Sequence, residues 1–307
     1  INRGECLTIV GESGSGKSVT ALAIMRLIGS NSQIKISGSA AYEKKNLLNL
    51  DESSLQSVRG KKISMIFQDP LMSLNPLRKI GDQLVETILT HMNISKSEAI
   101  KRAKNGLKEV GIDPSRLNSY PHTFSGGMRQ RVVIALALAP EPSLIIADEP
   151  SNGLDAKSRE FMLNTLNITV QSGERSVLMA SHLMEDVERL CDNIVLLHKG
   201  RLAAQGKIED LKAIDKEVEI HVWGAASKME ESLKDSGLKV RREGRVMRIG
   251  HTGDETYSQI LKSAAEVGSQ VRKMHDYEAS LEDLFLVIME RLGHDVKSSD
   301  ELLEGSI

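Results

Sequence analysis

Leu7-Thr8-Ile9-Val10-Gly11-Glu12-Ser13-Gly14-Ser15-Gly16-Lys17-Ser18 decides the fold of this chain. Its first four residues read as a short buried strand. The next eight match G-x-x-x-x-G-K-S in full. Ala21, Leu22, Met25 and Ile28 then recur at helical spacing and predict a helix over 17–28. A strand, a glycine-rich loop and a helix in that order make a cradle for phosphate. Backbone N–H groups close around the anion, and the helix N-terminus favours its charge. Lys17 supplies a point charge to the β and γ phosphates of a nucleotide, and the Ser18 hydroxyl suits Mg²⁺.

Two further segments extend this reading. Leu144-Ile145-Ile146-Ala147-Asp148-Glu149-Pro150 is an apolar strand that ends in two carboxylates. Ligands bind at the carboxyl ends of parallel strands. Asp148 there reads as a Mg²⁺ ligand, and Glu149 as the general base for an attacking water. Ser125-Gly126-Gly127-Met128-Arg129-Gln130 heads a helix over 126–138, a second ready-made anion site. Two phosphate-binding helix ends are redundant for one nucleotide.

Composition narrows the function classes. A length of 307 residues allows two domains, and 40% hydrophobic content is enough for a sizeable core. The formal charge of −2 and the 3% aromatic content give no electrostatic or stacking case for nucleic acid. No apolar run is long enough to span a bilayer. Cys6 and Cys191 lie far apart beside apolar runs and are expected to be buried reduced thiols. His91, His122, His198, His221, His251, His275 and His294 have no metal-ligand spacing and receive no role.

Along the chain, residues 34–62 show weak periodicity, and Ile63–Phe67 reads as a strand ending at Gln68 before Asp69-Pro70. Residues 80–118 read as helical, with apolar stripes at Leu84, Ile88 and Leu89 and at Ala99, Ala103, Leu107 and Val110. Strands are predicted at 144–148 and 176–181, and a hairpin at 193–205 around Lys199-Gly200. Buried strands alternating with helices predict a mainly parallel, helix-covered sheet. After Gly206 the pattern becomes β-α-β-β-α-β, a ferredoxin-like α+β arrangement over 216–292. Leu281, Leu284, Phe285 and Ile288 mark a closing amphipathic helix, and 293–307 reads as a polar, disordered tail.

The three motifs, in this order, resemble the ATPase subunit of ATP-binding cassette (ABC) systems over residues 1 to about 210. The resemblance implies an α/β P-loop NTPase with an inserted helical subdomain at about 80–140. It implies ATP and Mg²⁺ as cofactors. Nucleotide contacts would come from Gly11, Glu12, Ser13, Gly14, Ser15, Gly16, Lys17, Ser18 and Val19, and metal contacts from Ser18, Gln68 and Asp148. Lys17, Gln68, Glu149 and His182 would carry catalysis, with His182 at the γ phosphate and Gln68 sensing a permease. In this family the signature of one subunit closes over the nucleotide of another, which resolves the redundancy. Ser125, Gly126, Gly127, Gln130 and Asp155 would then face the partner's nucleotide in a head-to-tail dimer, homodimeric or with a paralogue. A chain that starts at Ile1 with this strand already in hand is expected to be N-terminally truncated, its adenine-stacking aromatic residue lying upstream.

Phe67-Gln68-Asp69-Pro70, Ser73-Leu74-Asn75-Pro76 and Tyr120-Pro121-His122 resemble the dipeptide, oligopeptide and nickel importer branch, as does Phe124 before the signature. Ser151-Asn152-Gly153-Leu154-Asp155 departs from that branch's usual Thr-Thr-Ala-Leu-Asp. The ending Ala279-Ser280-Leu281-Glu282-Asp283-Leu284-Phe285-Leu286 resembles instead the C-terminal domain of ABC-2-type exporter ATPases. The leading expectation is an energy-coupling ATPase at the cytoplasmic face of the membrane. It would serve permease subunits of the peptide or nickel uptake type, together with an extracytoplasmic solute-binding protein. The alternatives are an exporter ATPase, a soluble non-transport ABC ATPase, and a module whose C-terminal domain senses a small molecule.

Overall fold

Among the described residues, eight strands begin within the first unit of the chain. They are β1 (Cys6–Val10), β2 (Ala41–Tyr42), β3 (Lys45–Asn46), β4 (Ile63–Ile66), β5 (Leu144–Asp148), β6 (Ser176–Ser181), β7 (Asn193–His198) and β8 (Arg201–Lys207). The computed structural model describes residues 1–28, 34–69, 73–212, 217–250, 253–277 and 280–288. The expected tail at 293–307, together with Pro70, His251 and Ala279, lies outside them. The chain divides into two units, Ile1–Gln205 and Gly206–Ile307.

Six strands of the first unit form one sheet in the order β4-β5-β6-β1-β7-β8. Every pairing from β4 to β7 is parallel. The central strand β6 is buried at all six positions, as a strand covered on both faces must be. Lys199 and Gly200 both take positive φ (46° and 76°), which suits the two-residue turn that sends β8 back along β7.

The helices follow from the phosphate loop onward: α1 (Lys17–Ile24), α2 (Glu52–Val58), α3 (Ile80–His91), α4 (Lys96–Glu109), α5 (Gly126–Leu138), α6 (Ala156–Gln171) and α7 (Met184–Leu190). The helical stretch expected over 80–118 is two helices and a short 3-10 turn. Ser95 breaks it by accepting a hydrogen bond from Glu98 N at 3.2 Å, the first half of a Ser-x-x-Glu capping box. Asp113 caps the 3-10 turn in the same way. α1 stops four residues before its expected end, and Arg26 beyond it has φ +49°. Among the described residues no helix is long and apolar enough to cross a membrane.

Cys6 and Cys191 are joined as a disulfide, with Cα atoms 4.7 Å apart. The expectation of two reduced thiols fails because β1 pairs with β7 in the register Leu7↔Asn193. That register sets Cys6 beside the C-cap of α7, which is Cys191.

The second unit contains α8 (Ile208–Lys212), β9 (Glu217–Trp223), α9 (Ala226–Asp235), β10 (Val240–Glu243), β11 (Val246–Gly250), α10 (Asp254–Val267) and β12 (Gln270–Tyr277). Its sheet runs β10-β11-β9-β12, with all neighbours antiparallel. That order is the one a ferredoxin-like β-α-β-β-α-β chain gives. Strict alternation along β9 points Val218, Ile220 and Val222 into a core with Met229, Leu233 and Ile260. Residues 281–288 are helical.

Candidate active site

Parallel register brings four strand ends to one edge of the first sheet. Val10 pairs with Ser181, Asp148 with Ala180, and Ile66 with Ala147. The residues that follow these strands, Gly11, His182, Glu149 and Gln68, therefore gather at that edge.

The phosphate loop needs its glycines for two separate reasons. Gly14 and Gly16 have φ of 81° and 102°, a region that L side chains avoid. A Cβ on Gly11 would lie 2.3 Å from the Leu197 carbonyl oxygen. Ser15 Oγ is buried inside the loop with no hydrogen-bond partner among the described residues, a polar atom that a phosphate oxygen could satisfy. Lys17 is 5% exposed. Its ammonium donates to Gly11 O at 2.8 Å and Glu12 O at 3.0 Å, and pairs with Glu149 at 3.4 Å. Val19 is exposed on the first turn of α1. Glu12, Ser13 and Gly14 form the exposed rim of the loop.

Ser18 Oγ donates to Asp148 Oδ1 at 2.8 Å. Burial pushes the Asp148 carboxyl above the ordinary range, while the Ser18 hydrogen bond opposes the shift. A hydroxyl and a carboxylate together are hard oxygen donors. They fit an ion that takes its remaining ligands from phosphate and water, as Mg²⁺ does. Among the described residues no group of three or more His, Cys, Asp and Glu side chains is placed to hold a metal by itself.

Glu149 has φ +45°, and its N–H donates to Ala180 O at 2.8 Å. Such a conformation in a non-glycine residue is strained and persists only where the surroundings enforce it. The carboxylate lies between Lys17 and His182, whose Nδ1 is 2.5 Å from Oε2. His182 was expected at the γ phosphate, and here it holds the carboxylate. Gln68 is exposed, two residues past the end of β4.

The signature residues are arranged around two helix ends. Ser125 caps α5 by accepting from Met128 N at 3.3 Å. A Cβ on Gly127 would lie 2.1 Å from Ser158 Oγ, so the start of α6 presses against it. Asp155 caps α6 by accepting from Ser158 N at 3.0 Å and Ser158 Oγ at 2.8 Å. These bonds hold its carboxyl below the usual range. Gln130 was expected among the nucleotide contacts. It is instead 2% exposed, and its amide donates to Pro150 O at 3.0 Å.

Two supports have no signal in the sequence. Gly200 N donates to Ser15 O at 3.1 Å, so the β7–β8 turn braces the phosphate loop from behind. Arg159 on α6 donates to the buried Asp186 on α7 at 2.7 Å, tying the helix that Asp155 caps to the helix that follows His182.

The family described as ABC transporter matches residues 1–152. The chain is 41% identical over 239 residues to the oligopeptide transport ATP-binding protein OppD of Bacillus subtilis (strain 168), a match covering 77% of this chain and 66% of that protein. It is 42% identical over 213 residues to OppD of Escherichia coli (strain K12), covering 69% of this chain and 63% of that protein. The chain thus spans just under two thirds of the length of these relatives. Among solved structures it resembles the dimeric post-hydrolysis state of the ATP-binding cassette MJ0796 bound to ADP and Pi. The TM-score is 0.60 at 29% identity, covering 68% of this chain and 87% of that one.

Proposed function

We propose, from the match of residues 1–152 to the family described as ABC transporter, that this chain binds and hydrolyses ATP to drive a membrane permease of the peptide-uptake type. The observation that carries the reading is the meeting of Lys17, Ser18, Asp148, Glu149 and His182 at one sheet edge. Ser18 and Asp148, together with Gln68, would hold Mg²⁺, which would supply positive charge to the phosphates. Among the described residues, the partners of Lys17 are two neutral carbonyls and Glu149. A polyphosphate entering the loop is a stronger acceptor, and as Lys17 turns to it the Glu149 carboxylate is released. Glu149 then takes the proton of the attacking water as a general base, oriented by His182.

Ser125, Gly126 and Gly127 form the surface that meets the nucleotide of a second subunit, with Asp155 at the same contact. The dimeric cassette among the structural relatives supports a dimer. Uptake is favoured over export because a relative named for glutathione import, the ATP-binding protein GsiA of Salmonella typhi, matches the chain at 41% identity. The partners are then a permease and an extracytoplasmic solute-binding protein, with this chain at the cytoplasmic membrane face.

The test is ATP turnover by the Glu149→Gln variant. Loss of a general base costs about 10²–10⁴-fold, and the variant should accumulate as an ATP-bound dimer by size-exclusion chromatography. Unchanged hydrolysis removes Glu149 from this role. Affinity purification of the tagged protein from its own membranes tests the partners. A co-purifying permease with a solute-binding protein supports uptake, and an ABC-2-type membrane protein alone reverses the direction.

A further inference from the structure

Gln130 is a buried amide that the chemistry above does not use. It lies on the second turn of α5, five residues after Ser125. Its Nε2 donates to Pro150 O, while its Oε1 is shut off from solvent without a hydrogen-bond partner among the described residues. Pro150 directly follows Glu149, the residue held at φ +45°. Glu149 O accepts from Asn152 N at 3.1 Å, which closes a turn over Pro150. The left-handed geometry of Glu149 therefore rests on Ala180 from one side, on its own turn, and on Gln130 from α5.

We propose that Gln130 is a positioning residue that couples the signature end of α5 to the Glu149 carboxylate. Movement of Ser125–Gly127 onto the nucleotide of a second copy would then set the base in this copy. The inference rests on the ATPase reading above. Its physical basis is the rigidity of a helix over little more than one turn, which carries a displacement at Ser125 to Gln130. One directional hydrogen bond passes that displacement to the turn. A strained residue answers to such a bond because the bond is part of what enforces the strain. An apolar side chain of similar volume would fill the space without giving it a direction.

The test compares the wild-type chain with Gln130→Leu. Three readouts are needed: thermal melting, binding of a fluorescent ATP analogue, and turnover as a function of ATP concentration. The variant should melt close to wild type and bind the analogue with an affinity unchanged within about twofold. Its turnover should fall about tenfold, the scale on which one buried hydrogen bond reads out in a rate, and its cooperativity in ATP should disappear. Wild-type turnover and cooperativity in a folded Gln130→Leu protein overturn the proposal. Lowered turnover with intact cooperativity overturns it as well, because Gln130 then only braces Glu149. Gln130→Glu serves if the leucine variant does not fold. It can donate to Pro150 O only when protonated, so its turnover relative to wild type should rise as pH falls, and a flat ratio counts against the coupling. Absence of ATP turnover in the wild-type protein is a separate result that removes the ATPase reading itself.

Discussion

The two sheets of this protein carry polar surfaces made of the same residue types with opposite logic. At the edge of the first sheet Lys17, Asp148 and Glu149 are only 5–7% exposed. They converge on a glycine-lined cradle that still holds an unsatisfied hydroxyl. On the open face of the second sheet, Glu219, His221, Arg248 and Tyr277 are half-buried, and each is neutralised where it stands. Arg248 pairs with Glu219 and with Asp283, both at 3.3 Å, and lies 4.0 Å above the Tyr277 ring. Glu219 also has His221 at 3.3 Å and His275 at 3.9 Å. Asp283 accepts from Tyr277 Oη at 2.6 Å, Ser280 Oγ at 2.6 Å and Ser280 N at 3.0 Å. Burying charge is costly unless partners repay it. The first site keeps buried charge aimed at a place an anion can enter. The second face closes these charges on one another.

The sharpest way to break this contrast is to remove one cation from each surface. Lys17→Ala should lower affinity for a fluorescent ATP analogue by about 100-fold, because truncating a buried hydrogen-bonded charge costs ~2–5 kcal/mol. Arg248→Met should leave that affinity unchanged. Equal losses in the two titrations would mean that the second face takes part in nucleotide binding.

The disulfide gives the next largest effect and belongs to the first unit alone. It closes a loop of 185 residues and joins the strand that feeds the phosphate loop to the cap of α7. Such a link restricts the unfolded chain by about 2–4 kcal/mol, or roughly 5–15 °C of melting temperature for a unit of this size. Reduction, or Cys191→Ser, should lower the melting of the first unit by that amount and leave the second unit in place. A melting profile indifferent to reductant would show that the two sulfurs do not bond in solution.

The legibility of these features in sequence follows their range. The phosphate loop, the Asp148-Glu149 strand end and the Ser125-headed helix are each contiguous, and their backbone requirements are written in neighbouring glycines and apolar residues. The β-α-β-β-α-β order of the second unit was equally plain, because alternation at Val218, Ile220 and Val222 is a local pattern. α6 and α7 drew no prediction. α6 mixes apolar and polar residues on its faces, with Ile168 left 69% exposed, and α7 is too short for periodicity to speak. The Cys6–Cys191 pairing, the Gly200 brace and the Gln130–Pro150 bond depend on register between distant segments. Gln130 sat within a recognised signature, and that membership hid its inward orientation.

A finer contrast lies in pH. Burial pushes the Asp283 carboxyl up, and hydrogen bonds from Ser280 and Tyr277 outweigh it, so the group sits below its ordinary value of 3.8. Its contribution to stability is therefore full above that value and is lost as pH falls below it. Burial, aided by the hydrogen bond to Asp283, pushes the Tyr277 hydroxyl from 10.0 up to about 12. That contribution is full below pH 10 and is lost as pH climbs toward 12. The second unit should thus lose stability at both ends, in denaturant melts followed by the fluorescence of Trp223. Tyr277→Phe isolates the smallest effect. It keeps the ring under Arg248 and removes one bond to a charged acceptor, which costs about 1–2 kcal/mol near neutral pH. The alkaline loss should vanish in this variant while the acid loss survives, because Ser280 still holds Asp283 down. An alkaline transition that persists in Tyr277→Phe would assign it to another group and leave the closed network of the second face with one member fewer.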